Sequence, residues 1–129
     1  MTEVKKKRKK GMSPSKCRKK GYEFACEVAE RLKAFAPDLP PGDIYAELPF
    51  KPGTDIILGK AALEIYPLAI ECKFQKTVSI HAWIRQAETK RSEGIYPVVC
   101  FRRAQSGTKK ANIKIQVCLD LEDFLKLIR

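Results

Sequence analysis

The chain has 129 residues, 44% apolar and 32% charged, with 26 Lys/Arg against 15 Asp/Glu and a formal charge of +11. This is one domain's worth of chain with apolar residues enough for one core, and no apolar run approaches the roughly 20 residues that a membrane span needs. No apolar stretch follows the charged N-terminus, so secretion is not expected.

The charge is concentrated at one end. Residues 1–20 carry ten Lys/Arg and one acid, while residues 21–129 carry sixteen Lys/Arg and fourteen acids. Residues 1–12 are expected to be a disordered basic arm, with too many like charges and too little to bury, and residues 13–129 the folded domain. A dense cationic arm that includes Lys9 and Lys10 attracts polyphosphate by counterion release, without reading sequence. Nucleic acid is therefore the expected partner. A solubilising tail, a ribosomal-type contact and an anionic membrane surface are the alternatives, and no apolar helix face accompanies the lysines to favour the membrane.

Ser13-Pro14-Ser15 can start a helix that continues to about Phe35. At about 100° per residue, Phe24, Ala25, Val28, Leu32 and Phe35 share one face, Glu23 and Glu30 point away, and Glu27 lies at the flank. Pro37 and the Pro40-Pro41-Gly42 turn end it. Strand-like segments follow at 44–48, at 54–58 after the Lys51-Pro52-Gly53 turn, and at 63–75 after Gly59. The run Leu68-Ala69-Ile70 suits a central strand covered on both faces. Helical spacing returns over 78–93 (Ile80, Trp83, Ile84, Ala87), with Gly94 as its stop. A strand at 97–101, a polar loop at 104–111, an alternating edge strand at 113–119 and a final helix capped by Asp120 complete the order. The expected fold class is α/β, a mixed central β-sheet of about five strands flanked by helices.

Five cysteines (Cys17, Cys26, Cys72, Cys100, Cys118) and one histidine show no zinc-binding spacing. They suggest reduced thiols in a cytoplasmic setting, with Cys72, Cys100 and Cys118 filling strand positions.

Chemistry concentrates in Pro52-Gly53-Thr54-Asp55-Ile56-Ile57-Leu58 and Ile70-Glu71-Cys72-Lys73. Glu71 and Lys73 are two apart on a strand and share a face. They follow an apolar run, where charge is costly unless a partner or metal compensates. A hairpin of adjacent strands would bring Asp55 beside Glu71. Two carboxylates and a lysine form a hard-oxygen site suited to Mg²⁺, which would polarise a phosphate and acidify a bound water. Lys73 would orient that water and offset developing charge. A plain surface salt bridge is the competing reading, since such triplets recur by chance.

With Arg18-Lys19-Lys20-Gly21 leading into the first helix and Arg85-Gln86-Ala87 on a later one, these motifs resemble the PD-(D/E)XK nuclease superfamily, and more narrowly the archaeal and phage Holliday junction resolvases. The resemblance covers most of residues 18–101. It implies a restriction-endonuclease-like fold, with Asp55, Glu71 and the Cys72 carbonyl as ligands of Mg²⁺ (Mn²⁺ as substitute). Lys73 would assist the attacking water, and Gln86 would steady Lys73 or a phosphate. It further implies a homodimer that nicks four-way DNA junctions symmetrically and leaves 5′-phosphates.

In one respect the chain departs from that pattern. The family glutamate of the first helix falls at Ala25. Either Glu27 serves instead, or Ala25 marks an inactivating replacement, or Glu23 substitutes, or two carboxylates suffice. Duplex or flap DNA is the alternative substrate, and a catalytically inactive DNA-binding module the alternative function. Arg18, Lys19, Lys20, Arg102 and Arg103, with Lys109 and Lys110, are the candidate phosphate contacts. His81 is expected on a helix surface, Trp83 in the core and Glu47 in a salt bridge.

Overall fold

The computed structural model describes residues 14–103 and 114–129. In chain order these form α1 (Pro14–Phe35), β1 (Ile44–Ala46), β2 (Ile56–Leu58), α2 (Lys60–Ile65), β3 (Leu68–Gln75), α3 (Ile80–Glu88), β4 (Tyr96–Arg103), β5 (Gln116–Cys118) and α4 (Leu121–Leu127). The α/β class is as expected from the sequence. The basic arm at 1–12 and the loop at 104–111 lie outside the described residues, and none of the described helices is long and apolar enough to cross a membrane.

The expectation of one central sheet needs correction. The strands form two sheets, an antiparallel β1–β2 pair and a mixed β3–β4–β5 sheet in which β3 and β4 run parallel and β5 is antiparallel to β4. Asp55, immediately before β2, joins the two by donating its backbone N–H to the Ile70 carbonyl at 3.1 Å. The next donor along β3, the Cys72 N–H, goes to the Asp55 side chain at 2.7 Å. A carboxylate takes up a donor that a continued ladder would use, and the sheet divides there.

Nor do β2 and β3 make a simple hairpin. The short helix α2 lies between them, capped by Asp43, whose carboxylate accepts the Ala62 N–H at 2.6 Å while its carbonyl accepts the Gly59 N–H at 2.7 Å. Residue 59 must be glycine because a Cβ there would collide with the Asp43 carboxylate. Composition favoured this helix, since Lys60-Ala61-Ala62-Leu63-Glu64 are all good helix formers. One and a half turns are too few for periodicity to distinguish from a strand.

Strand alternation divides the core in two. Ile70, Cys72 and Phe74 of β3, with Val98 and Cys100 of β4, pack on Phe24, Ala25, Val28 and Ala29 of α1. Val99 and Phe101 face the other way, onto Trp83 and Ala87 of α3. Trp83 is buried and lies 5.5 Å centroid to centroid from Phe101. On α1 the apolar stripe packs as far as Leu32, whereas Phe35, expected on the same face, is 82% exposed. Helix α3 ends at Glu88, earlier than expected, and Gly94 (φ 74°) serves a turn bridged by Ser92 and Ile95 rather than a helix stop.

Among the described residues, two charged side chains are buried, Asp123 and Glu71. Asp123 on α4 is matched by Arg91, which donates to both of its oxygens at 3.1 and 2.6 Å and also grips Glu88. This fork ties α4 to the end of α3. Arg91→Ala would strand a buried carboxylate. Its urea midpoint should fall, and adding Asp123→Asn should recover part of the loss, a coupling that a double-mutant cycle measures.

Candidate active site

Glu71 has no such partner. It is 3% exposed, in the middle of the parallel β3–β4 pair and opposite Val99. Burial pushes its carboxyl up to about 7, helped by the negative charge and hydrogen-bonding reach of Asp55; Lys73 and Lys90 pull the other way without offsetting it. Asp55 is fixed beside it by the Cys72 N–H. Alternation then carries Lys73 to the Glu71 face of β3, where its Nζ donates to Gln86 Oε1 of α3 at 2.6 Å. Asp55, Glu71, Lys73 and Gln86, four residues singled out in the sequence, therefore meet where the end of β2, the middle of β3 and the face of α3 converge.

Glu27 does not join them. Its carboxylate is held by the Arg102 guanidinium through two bonds of 2.7 Å each, and this keeps its carboxyl below the ordinary range. Arg102 sits on β4 in step with Val98 and Cys100, on the α1 side, and its guanidinium stacks over the Phe24 ring at 5.6 Å. Glu71 and Lys73 project from the opposite side. A helical wheel reports which side of α1 Glu27 leaves from but not which side of the sheet it reaches. Ala25 is buried at 4% in the α1 core, and Glu23 is exposed.

The remaining candidates are dispersed. Arg102, a supposed phosphate contact, is half-buried and spent on Glu27, with its Nε unpartnered. Arg103 is exposed and donates to the Lys76 carbonyl. Arg18, Lys19 and Lys20 line the exposed first half of α1. Lys9, Lys10, Lys109 and Lys110 lie outside the described residues. His81 is exposed, and Glu47 pairs with Lys51 at 3.9 Å. Cys72 and Cys100 are thiols whose burial raises their proton affinity, that of Cys100 to about 11, which leaves them poor nucleophiles at neutral pH. Sequence reasoning missed Lys90, whose charge acts on Glu71. The available signal was its position four residues after Gln86, which puts it in the turn that directly follows α3.

Would these residues suit Mg²⁺? Two carboxylates crowded in a buried place, one of them neutral up to about 7, form a pair that a divalent cation would compensate. Asp55, Glu71 and the Cys72 carbonyl supply hard oxygens only, as Mg²⁺ prefers. Among the described residues no third His, Cys, Asp or Glu converges on them, so further positions would fall to water and substrate oxygens, which suits an ion that dehydrates reluctantly. The residues fit the ion. No protein-family model, curated protein or solved structure matches this chain.

A pH dependence follows from Glu71. Its folded-state affinity for a proton is raised, so its contribution favours folding at acid pH. That contribution declines from the ordinary value of 4.5 up to about 7, where the accumulated penalty is on the order of 3 kcal/mol. Denaturation of metal-free protein across that range should show the decline. Glu71→Gln should flatten it, and millimolar Mg²⁺ should offset it in the parent but not in the variant.

Proposed function

We propose that the chain is a Mg²⁺-dependent DNA endonuclease of the PD-(D/E)XK kind, acting on branched DNA as a homodimer and most specifically as a Holliday junction resolvase. The observation that carries this reading is the uncompensated Asp55–Glu71 pair with Lys73 on the same face of β3, held by Gln86. Mg²⁺, when bound by Asp55, Glu71 and the Cys72 carbonyl, supplies Lewis-acid polarisation of a phosphate and acidifies a bound water. Lys73 offers a fixed cation to the negative charge that develops at phosphorus. Gln86 fixes the ammonium by accepting a hydrogen bond from one of its three N–H groups, leaving the other two to water or phosphate.

The basic start of α1, at Arg18, Lys19 and Lys20, supports a polyanionic substrate, and the arm extends the same charge toward the N-terminus. Exposed Leu121, Phe124 and Leu125 on α4 and Ile128 just after it, one short loop from exposed Val117 on β5, are apolar area that a second copy would cover. Buried thiols suit a reducing cytoplasm.

Asp55→Ala or Lys73→Ala should lower nicking of a synthetic four-way junction at least about a hundredfold while gel-shift binding survives. If both variants cut as the parent does, the site is misassigned. Junction, flap and duplex substrates compared at equal concentration separate a resolvase from another nuclease.

The engagement of Glu27 by Arg102, together with alanine at position 25, favours a second reading, an inactive DNA-binding module. Under that reading neither Mg²⁺ nor Mn²⁺ supports cleavage by the parent. Ala25 packs in the α1 core, so Ala25→Glu is read with its unfolding midpoint: a folded variant that cuts marks an enzyme inactivated at this one position, and a folded variant that does not cut leaves the binding module.

A further inference from the structure

The loop between β1 and β2 is mounted on the candidate site. The Glu47 N–H donates to the Asp55 carbonyl at 2.8 Å and closes the loop at its base, on the residue whose carboxylate meets Glu71. Inside it, the Lys51 N–H donates to the Leu48 carbonyl at 3.2 Å, and Gly53 turns the chain back at φ 115°. Pro49 and Pro52 stiffen the tip by fixing two φ angles. This stiff tip displays Phe50, which is 73% exposed and packs in neither core cluster, with exposed Lys51 next to it.

An aromatic ring held in water on a rigid loop offers its face to a flat partner. One ring and its short loop offer far less than the roughly 800 Å² that each partner contributes to a stable protein interface. A nucleobase has a π-face of matching size, and stacking one on an aromatic tightens binding about 5- to 150-fold. Lys51, whose exposed ammonium is held only at 3.9 Å by Glu47, adds a cation that can turn to the adjoining phosphate. In an uninterrupted duplex both faces of every base are occupied, so a protruding ring can stack only where a base is splayed or unpaired.

We infer that Phe50 is a specificity-determining residue, stacking on an unstacked base at a branch or break in DNA and so directing the Asp55–Glu71 site to interrupted rather than continuous duplex. This rests on the endonuclease reading and names the feature of the substrate that the site selects.

The test uses the full chain, a four-way junction carrying 2-aminopurine at the branch, and a continuous duplex of the same arm sequence. In EDTA, saturating parent and Phe50→Tyr should change the 2-aminopurine emission, and Phe50→Ala should not. In Mg²⁺, the ratio of junction to duplex nicking should fall about tenfold in Phe50→Ala and be retained in Phe50→Tyr, with unfolding midpoints unchanged. The inference is overturned if Phe50→Ala keeps both the emission change and the ratio. It is equally overturned if junction and duplex nicking fall in parallel, which would make the ring a support of Asp55, or if the saturated parent gives no emission change. A parent that cuts nothing in Mg²⁺ or Mn²⁺ yet shows a Phe50-dependent emission change would sink the endonuclease reading alone.

Discussion

A carboxylate buried in the middle of a parallel strand pair, with a second acid beside it, resists ionisation unless enough positive charge comes to it. Glu71 is in that position, and the surrounding structure keeps its difficulty in place rather than relieving it. The Cys72 N–H pins Asp55 alongside, adding like charge, while Lys73 is drawn toward Gln86. Asp123 shows the contrasting solution in the same chain, since there a guanidinium fork neutralises a buried acid and the outcome is a structural tie. The same fold thus matches one buried acid with an arginine and leaves the other beside a second acid, a setting that a divalent cation would compensate.

The strand alternation that builds the core also divides the polar groups. On the α1 side, Glu27 and Arg102 satisfy one another against Phe24. That pair stabilises the fold above the ordinary range of glutamate titration and loses its effect as pH falls through the lowered value. On the α3 side, Glu71, Lys73 and Gln86 gather with Asp55. Cys72, between Glu71 and Lys73 in sequence, faces α1, so its backbone serves the site while its side chain serves the core.

How far this could be read from residues alone depends on the range over which each pattern acts. Glu71 and Lys73 were legible because a two-residue spacing on a strand is enough to place both on one face. Trp83 and Ala87 were legible from helical spacing, Gln86 only through the family resemblance, and the Asp120 cap from its position before an apolar helix. Helix α2 was not, because six residues carry little more than one period. The division of the sheet was hidden too, because it hangs on a side chain, that of Asp55, taking a backbone donor. Glu27 failed for a related reason: its destination is decided by the register of β4, which brings Arg102 to the α1 side. Propensity and periodicity act within an element, whereas these outcomes are decided between elements.

The parallel pairing of β3 with β4 has one further consequence. Leu68 lies opposite Tyr96 and Gln75 opposite Arg103, so every rung waits for α3 to form and cross over. Glu71 is desolvated only after that closure, and closing a long loop precedes the contacts that reward it. Until then its carboxyl is an ordinary solvated acid with no cause to gather charge around itself. The chemical character of the site thus depends on that closure, and a chain in which β3 and β4 are not yet paired would carry the residues without the raised carboxyl.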